Sequence, residues 1–383
     1  MRVYLFIALI AAVVTFIATP PIRLLAIKVG AIGQIRARDM HTTPTPRMGG
    51  VAMLIGFAVA LCFARSAPWI SRVFPRSDNQ SWIILAGAAM ICALGVCDDI
   101  WDLDWMLKMS GQILIAVFVS WKGVQIVSLP WGTTLITASP SLSMAITALL
   151  IVTSINAVNF VDGLDGLAAG IVAIGGLAFA TYSYILSRSQ PSFASMATLL
   201  DVILVGVCIG FLIHNWHPAS IFMGDSGSML LGYLVTCASV VLTGHFDPST
   251  MHSGVAMPAF MPILLPILVL FIPVLDMCMA IIRRTSHGQS PMHPDRMHLH
   301  HRMIRIGHTV RGAVLIMWGW AFVIAFSSIM TLFYTASVII TMLCILVPIL
   351  SALTLAPHYR QRLREIRQEN LLAQQQKGEH KND

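Results

Sequence analysis

Five short polar segments of this 383-residue chain have residue types and spacings suited to chemistry. The densest is Cys97-Asp98-Asp99-Ile100-Trp101-Asp102-Leu103-Asp104. Four carboxylates this close repel one another, and a divalent ion with a preference for oxygen ligands would relieve the repulsion. In a helix, Asp98 and Asp102 share a face at i,i+4, and Asp99 and Asp102 do so at i,i+3. Trp101, Trp105 and Met106 interleave with the acids and place the segment at an interface; a solvated acidic loop is the plainer alternative. A second segment reads Asn156-x-x-Asn159-x-x-Asp162-x-x-Asp165, a stripe drifting slowly round one helix face. Gly163 and Gly166 loosen its end and allow close approach of a ligand. Two amides and two acids facing lipid would be penalised, so the stripe must face protein, water or substrate.

The third segment runs from Asn215-Trp216-His217-Pro218 to Phe222-Met223-Gly224-Asp225-Ser226-Gly227-Ser228. Asp225 sits between glycines at a helix start, where free backbone N–H groups suit phosphate oxygens and a carboxylate can hold the metal those oxygens share. An ordinary N-cap would look the same. The fourth, His293-Pro294-Asp295-Arg296-Met297-His298-Leu299-His300-His301-Arg302, lacks a Cys partner or a His-Glu-x-x-His pattern for zinc. Its arginines and imidazoles suit a diphosphate or a sugar. The fifth gathers Arg36, Arg38, His41 and Thr43 to Gly50, where Arg47 before a glycine pair could approach a phosphate, or could simply set orientation.

Composition determines what must carry these segments. The chain is 57% hydrophobic and 11% charged, with a mean hydropathy of +0.79, whereas soluble domains carry about 25% charged residues. Apolar runs near bilayer length recur at 1–19, 49–65, 81–97, 109–127, 142–158, 167–187, 198–214, 228–243, 259–281, 312–333 and 337–356. The fold class is therefore an all-α polytopic membrane protein of about eleven transmembrane helices. Residues 1–356 form one integral-membrane domain, and 357–383 a charged tail that lies on anionic headgroups or is simply solvated. The first run reads as an uncleaved helix, because Ala18-Thr19-Pro20-Pro21 is a poor cleavage site and another span follows. Seven cysteines, all in apolar stretches and without a Cys-x-x-Cys pair, suggest neither disulfides nor zinc. No internal repeat of the kind found in transporters is visible.

Basic residues orient the chain. The connections 20–48, 98–108, 159–166, 215–227 and 282–311, with the tail, hold 18 of the 24 lysines and arginines. The positive-inside rule puts these in the cytosol, the N-terminus outside and the C-terminus inside. All five polar segments then share one face. Carboxylates with amides suit magnesium, and the Arg and His loops suit an anion. Together they indicate phosphoryl transfer from a nucleotide donor to a lipid acceptor.

The pieces Pro46-Arg47-Met48-Gly49-Gly50, Asp98-Asp99, Asn156 to Gly166, Asn215 to Ser228 and Pro294-Asp295-Arg296-x-His298-x-His300-His301 resemble, in order and over nearly the whole chain, the polyprenyl-phosphate N-acetylhexosamine-1-phosphate transferases. The muramoyl-pentapeptide transferases of that family carry a triple-histidine loop and Thr-Pro-Thr-Met-Gly-Gly. This chain is more similar to the branch that transfers GlcNAc-1-phosphate. Relatives often have Asp-x-Pro where it reads Gly33-Gln34-Ile35, a departure that touches the role of this stretch but not the core site.

The resemblance implies that UDP-GlcNAc and polyprenyl phosphate give polyprenyl-diphosphate-GlcNAc and UMP at the cytosolic face of the inner membrane, with Mg2+ as cofactor and Mn2+ able to substitute. It implies catalytic roles for Asp98, Asp99, Asp162, Asp165 and His301. Arg47, Asn156, Asn215, Arg296, His298 and His300 would bind substrate, and Asp225, Asn159, Asp98 and Asp99 would bind metal. Asp162, Asp165 and Asn215 would hold the uridine side, while Arg296, His298, His300 and His301 close over the sugar and diphosphate. Asp98 or Asp99 positions the lipid phosphate, which is already largely ionised at neutral pH, for direct displacement. A homodimer is left open and no nucleic-acid partner is expected. Alternatives are the muramoyl-pentapeptide transferase activity and a transporter of nucleotide sugars or lipid-linked anions. A CDP-alcohol phosphotransferase is disfavoured, since Asp162-Gly-Leu-Asp-Gly-Leu does not fit its Asp-Gly-x-x-Ala-Arg motif.

Overall fold

A computed structural model describes residues 1–32, 44–70, 73–74, 79–126, 128–131, 134–189, 195–243, 270–286, 288 and 299–379. Hydrocarbon offers no partner for a backbone N–H or C=O, so each apolar run closes its own hydrogen bonds as a helix. The elements are α1 (Arg2–Val29), α2 (Gly49–Ser66), α3 (Gln80–Trp101), α4 (Trp105–Trp121), a short antiparallel hairpin of β1 (Ser128–Trp131) and β2 (Thr134–Thr137), α5 (Pro140–Val161), α6 (Leu167–Ser189), α7 (Ser195–Asn215), α8 (Gly224–Thr243), α9 (Phe271–Ser286), α10 (Leu299–Arg305), α11 (Val310–Met330) and α12 (Ala336–Glu379).

Among the described residues nine helices are long and apolar enough to cross a membrane, and α4 is a shorter apolar helix of 17 residues. Ten of the eleven expected spans fall on these helices. The expected span 259–281 overlaps α9 and otherwise lies outside the described residues. The chain is an all-α polytopic membrane protein, with the small hairpin as its addition to the expected class.

Helix α8 is the axis. Its whole span is buried, and α2, α3, α5 and α7 pack against it. A helix enclosed on all sides needs small residues where neighbours come closest. At Gly232 a side chain would strike the α5 backbone at Ser154 and Ile155, and Gly87 of α3 makes room for the Tyr233 ring. The hydroxyls of Thr236 and Ser239 return to carbonyls one turn back, at 3.0 and 3.1 Å, and Tyr233 donates to the Ile84 carbonyl at 3.1 Å. No hydroxyl among these is left unpaired in the apolar core. Helix α1 is part of the bundle, packed on α2 and α7, where Gly206 and Gly210 lie against the Ala8 and Ala12 carbonyls.

Helix boundaries depart from the hydropathy reading at the ends that matter. The α3 helix continues past the apolar run to Trp101, so Asp98 and Asp99 are its last turn and not loop residues. Similarly, α5 runs to Val161 and carries Asn159. Main-chain hydrogen bonding does not stop where hydropathy does. It stops at Asp102, whose φ of 50° closes α3 with an N–H to the Asp98 carbonyl at 2.9 Å, and at Asp162 for α5. The tail is helical as the continuation of α12 to Glu379.

Candidate active site

Four helix ends converge. Asp98 from α3, Lys108 from α4, Asn159 from α5 and Asp225 from α8 meet at one point. The Lys108 Nζ lies 2.8 Å from Asp98 Oδ2 and 2.9 Å from Asp225 Oδ1. Asn159 donates through Nδ2 to Asp225 Oδ1 and, at 2.9 Å, to Ser228 Oγ. The Leu103 N–H fixes the other oxygen of Asp98 at 3.0 Å. Two carboxylates held to one point demand positive charge there, and Lys108 supplies one unit of it. Lys108 was not singled out in the sequence. As the cation of an acidic segment, four residues after Asp104, it reads as an ordinary i,i+4 surface pair.

The acidic cluster divides. Asp98 and Asp99 face inward, while Asp102 and Asp104 are exposed, and Asp104 caps α4 by accepting from Met106 N–H at 3.0 Å. Asp99 does not join the convergence through its side chain. Its Oδ1 accepts from the Asp225 N–H at 2.9 Å and its Oδ2 from the Ser226 N–H at 3.1 Å. These are the amides expected to be open to phosphate. They are occupied because α3 comes against the start of α8 at Gly95, where any side chain would strike Ser226. The glycine pair after Arg47 is likewise filled by protein and not left for a ligand. Gly49 faces Phe211 and Phe222, and Gly50 faces the Ser226 backbone, with main-chain bonds of 3.1 Å from both amides to Phe222 and Met223 carbonyls.

The remaining predicted residues form a wall on the α5 side. Asp162, at the α5 C-cap, is half-buried, and its carboxyl is pushed up to about 8, first by loss of water and then by the charges of Asp225 and Asp99, with Arg47 opposing. Asp165 is buried and accepts from His217 Nδ1 at 2.7 Å and Ala219 N–H at 3.1 Å. Asn215 is a brace: its Oδ1 accepts from Gly166 N–H at 2.9 Å and its Nδ2 donates to the Ile221 carbonyl at 3.0 Å. Asn156 donates to Gln112 Oε1 at 2.6 Å and to the Val152 carbonyl at 2.8 Å. Arg311 of α11 holds the His217 carbonyl at 2.8 and 3.1 Å. His217, Gln112 and Arg311 are further residues of this wall that sequence reasoning did not assign, because their partners are distant in the chain.

Helix α10 contributes His300 and His301 as backbone positions, and Arg296 and His298 lie outside the described residues. Met303 of α10 shares an apolar cluster with Val161, Leu164 and Leu167, which brings α10 alongside the Asp162–Gly166 turn. The buried Asp276 of α9 accepts from the Leu299 N–H at 2.9 Å and fixes where α10 begins.

The donor set suits a hard divalent ion. Two carboxylates and an amide converge, and among the described residues no three His, Cys, Asp or Glu side chains form a closed metal cage. Magnesium is bound in this way, by one or two carboxylates with substrate phosphates completing the shell.

The helix ends of an all-α membrane bundle thus bring two acids, an amide and a lysine to one point. The chain belongs to glycosyl transferase family 4, which residues 81–243 match. It is 41% identical over 335 residues to a decaprenyl-phosphate N-acetylglucosaminephosphotransferase of Mycobacterium tuberculosis (strain CDC 1551 / Oshkosh), covering 86% of this chain and 82% of that one. A probable undecaprenyl-phosphate N-acetylglucosaminyl 1-phosphate transferase of Bacillus subtilis (strain 168) is 33% identical over 323 residues, 84% of this chain and 83% of its own. A phospho-N-acetylmuramoyl-pentapeptide-transferase of Desulforudis audaxviator (strain MP104C) is 33% identical over 229 residues, 53% of this chain and 64% of its own.

Proposed function

We propose that this chain transfers GlcNAc-1-phosphate from UDP-GlcNAc to a polyprenyl phosphate and releases UMP, at the cytoplasmic face of the inner membrane. The observation that carries the reading is the convergence of Asp98, Lys108, Asn159 and Asp225 on one point, in a chain similar over most of its length to enzymes named for this transfer. An oxygen of the lipid phosphate attacks the phosphorus bearing the sugar, the bond from that phosphorus to the bridging oxygen breaks, and UMP leaves with the bridging oxygen. Attack by one anion on another requires charge neutralisation more than covalent catalysis.

Asp225 and Asp98, with Asn159 beside them, would hold Mg2+, or Mn2+ in its place. Bound there, the ion supplies charge neutralisation at the donor diphosphate. Lys108, now held by its two carboxylates, would offer its charge to a substrate phosphate. Asp98 orients the lipid phosphate. The wall of Asp162, Asp165, Asn215 and His217 lies on the uridine side, with Asp165 and Asn215 shaping it through their protein partners. Arg47 stands near Asp162, and Arg296 with His298, His300 and His301 would cover the sugar and diphosphate. The prenyl chain would lie along the apolar helices.

Purified protein with Mg2+, polyprenyl phosphate and a panel of UDP-sugars, including UDP-MurNAc-pentapeptide, tests the reading through UMP release. Release with UDP-GlcNAc well above the rest is the expected result. Silence with every amino-sugar donor sinks the enzyme, and turnover with the MurNAc-pentapeptide donor alone transfers the chain to the other branch.

A further inference from the structure

We infer that Asp99 is a positioning residue: it locks the first turn of α8 from outside that helix and so aims the Asp225 carboxylate. The inference rests on the proposed role of Asp225 in holding the divalent ion. First-turn amides have no acceptor within their own helix and ordinarily take one from a capping side chain just ahead of it. The residue ahead of Gly224 is Met223, which offers no such oxygen. The acceptors come from 126 residues away instead, as the two oxygens of Asp99, at 2.9 Å from Asp225 N–H and 3.1 Å from Ser226 N–H. A carboxylate at a helix N-terminus is also favoured by the helix dipole.

Three close approaches fix this geometry. Gly95 puts the α3 backbone against Ser226 and Asp225, Gly50 puts the start of α2 against Ser226 and Gly227, and Gly224, at φ +69°, leaves space that the Asp99 carboxylate fills. The α8 backbone is thus clamped at the residue whose side chain leaves the clamp toward Lys108 and Asn159. Asp98 and Asp99 are neighbours in sequence with separate tasks: Asp98 faces the convergence, and Asp99 holds the backbone from which Asp225 reaches it.

Two measurements test this. Hydrogen–deuterium exchange on metal-free wild-type protein, read in peptides spanning 222–230, should show slow exchange at Asp225 and Ser226 and faster exchange in Asp99→Asn, which keeps only one acceptor. Mn2+ binding followed by electron paramagnetic resonance should weaken by about tenfold or more in that variant, the usual effect of losing an outer-shell support. Fast exchange of both amides in the wild type overturns the inference. So does an Asp99→Asn protein that binds Mn2+ as tightly as wild type yet releases no UMP, since Asp99 would then act on the reacting atoms. Should the variant fail to fold, the wild-type exchange result decides alone. Wild-type protein that releases no UMP defeats the proposed function, while the exchange result still judges the clamp.

Discussion

Lys108 is the counter-charge to two carboxylates from different helices. Replacing it by Met leaves both acids facing each other without compensation. Breaking such a pair costs about 3 kcal/mol or more. Lys108→Met should therefore lower the thermal midpoint of the metal-free protein, and saturating Mg2+ should recover part of the loss by supplying charge at the same point. A midpoint equal to wild type without metal would show that the ammonium does not stabilise the acids. Asp225→Asn should reduce UMP release by about 100-fold or more; near-normal turnover would remove Asp225 from the site. Asp162 gives a pH signature. It keeps its proton up to about 8 in the folded protein, against about 3.9 in the unfolded chain. Between those values the native state binds more protons, so stability falls as pH rises and levels off above the upper value. Asp162→Asn removes that slope. The thermal midpoint of the variant, relative to wild type, should rise between roughly pH 5 and pH 8, and parallel curves would refute it.

At the scale of elements, the site depends on main chains approaching more closely than side chains allow. Gly50 and Gly95 admit the first turn of α8 between α2 and α3, and a methyl group at Gly50 would meet the Ser226 backbone, which has no flexible end to yield. Overpacking of that kind costs roughly 1–3 kcal/mol. Gly50→Ala is predicted to lower the thermal midpoint and to weaken Mn2+ binding together, since both follow from displacing α8. A stable variant with normal Mn2+ affinity would mean that the helices can slide apart without moving Asp225. The same logic explains α11, which reaches the far wall through Arg311 and the His217 carbonyl and packs Trp318 over Gly170.

The described residues form a bundle around the fully buried α8, and the acids, amide and lysine of the site meet where that helix begins. The excess of lysine and arginine in the connections at that end predicts that it faces the cytosol. A green fluorescent protein fused after Asp383 should fluoresce, because it matures there, and an active alkaline phosphatase at the same point would invert the orientation. Removing divalent ions with a chelator should stop UMP release without unfolding the protein, and Mg2+ should restore it. Persistent turnover in excess chelator would separate the carboxylates from any metal.

Much of this was legible in the residues alone. Hydropathy located the membrane helices because each must satisfy its backbone locally, so their positions are properties of short windows of sequence. The acids and amides stood out because lipid tolerates them so poorly, and Asp98, Asn159 and Asp225 were named on that ground. Which neighbour each one meets was decided by tertiary structure. Asp98 and Asp99 differ by one step in sequence, but a helix turns about 100° in that step, sending one carboxylate to Lys108 and the other to the α8 amides. The glycines after Arg47 read in sequence as room for a phosphate, and the packed structure brings α8 against them; Asn215 reads as a substrate contact, and the packed structure adds that both ends of its amide meet the main chain. Contacts between groups more than a hundred residues apart leave no local pattern, because they exist only once the helices have packed.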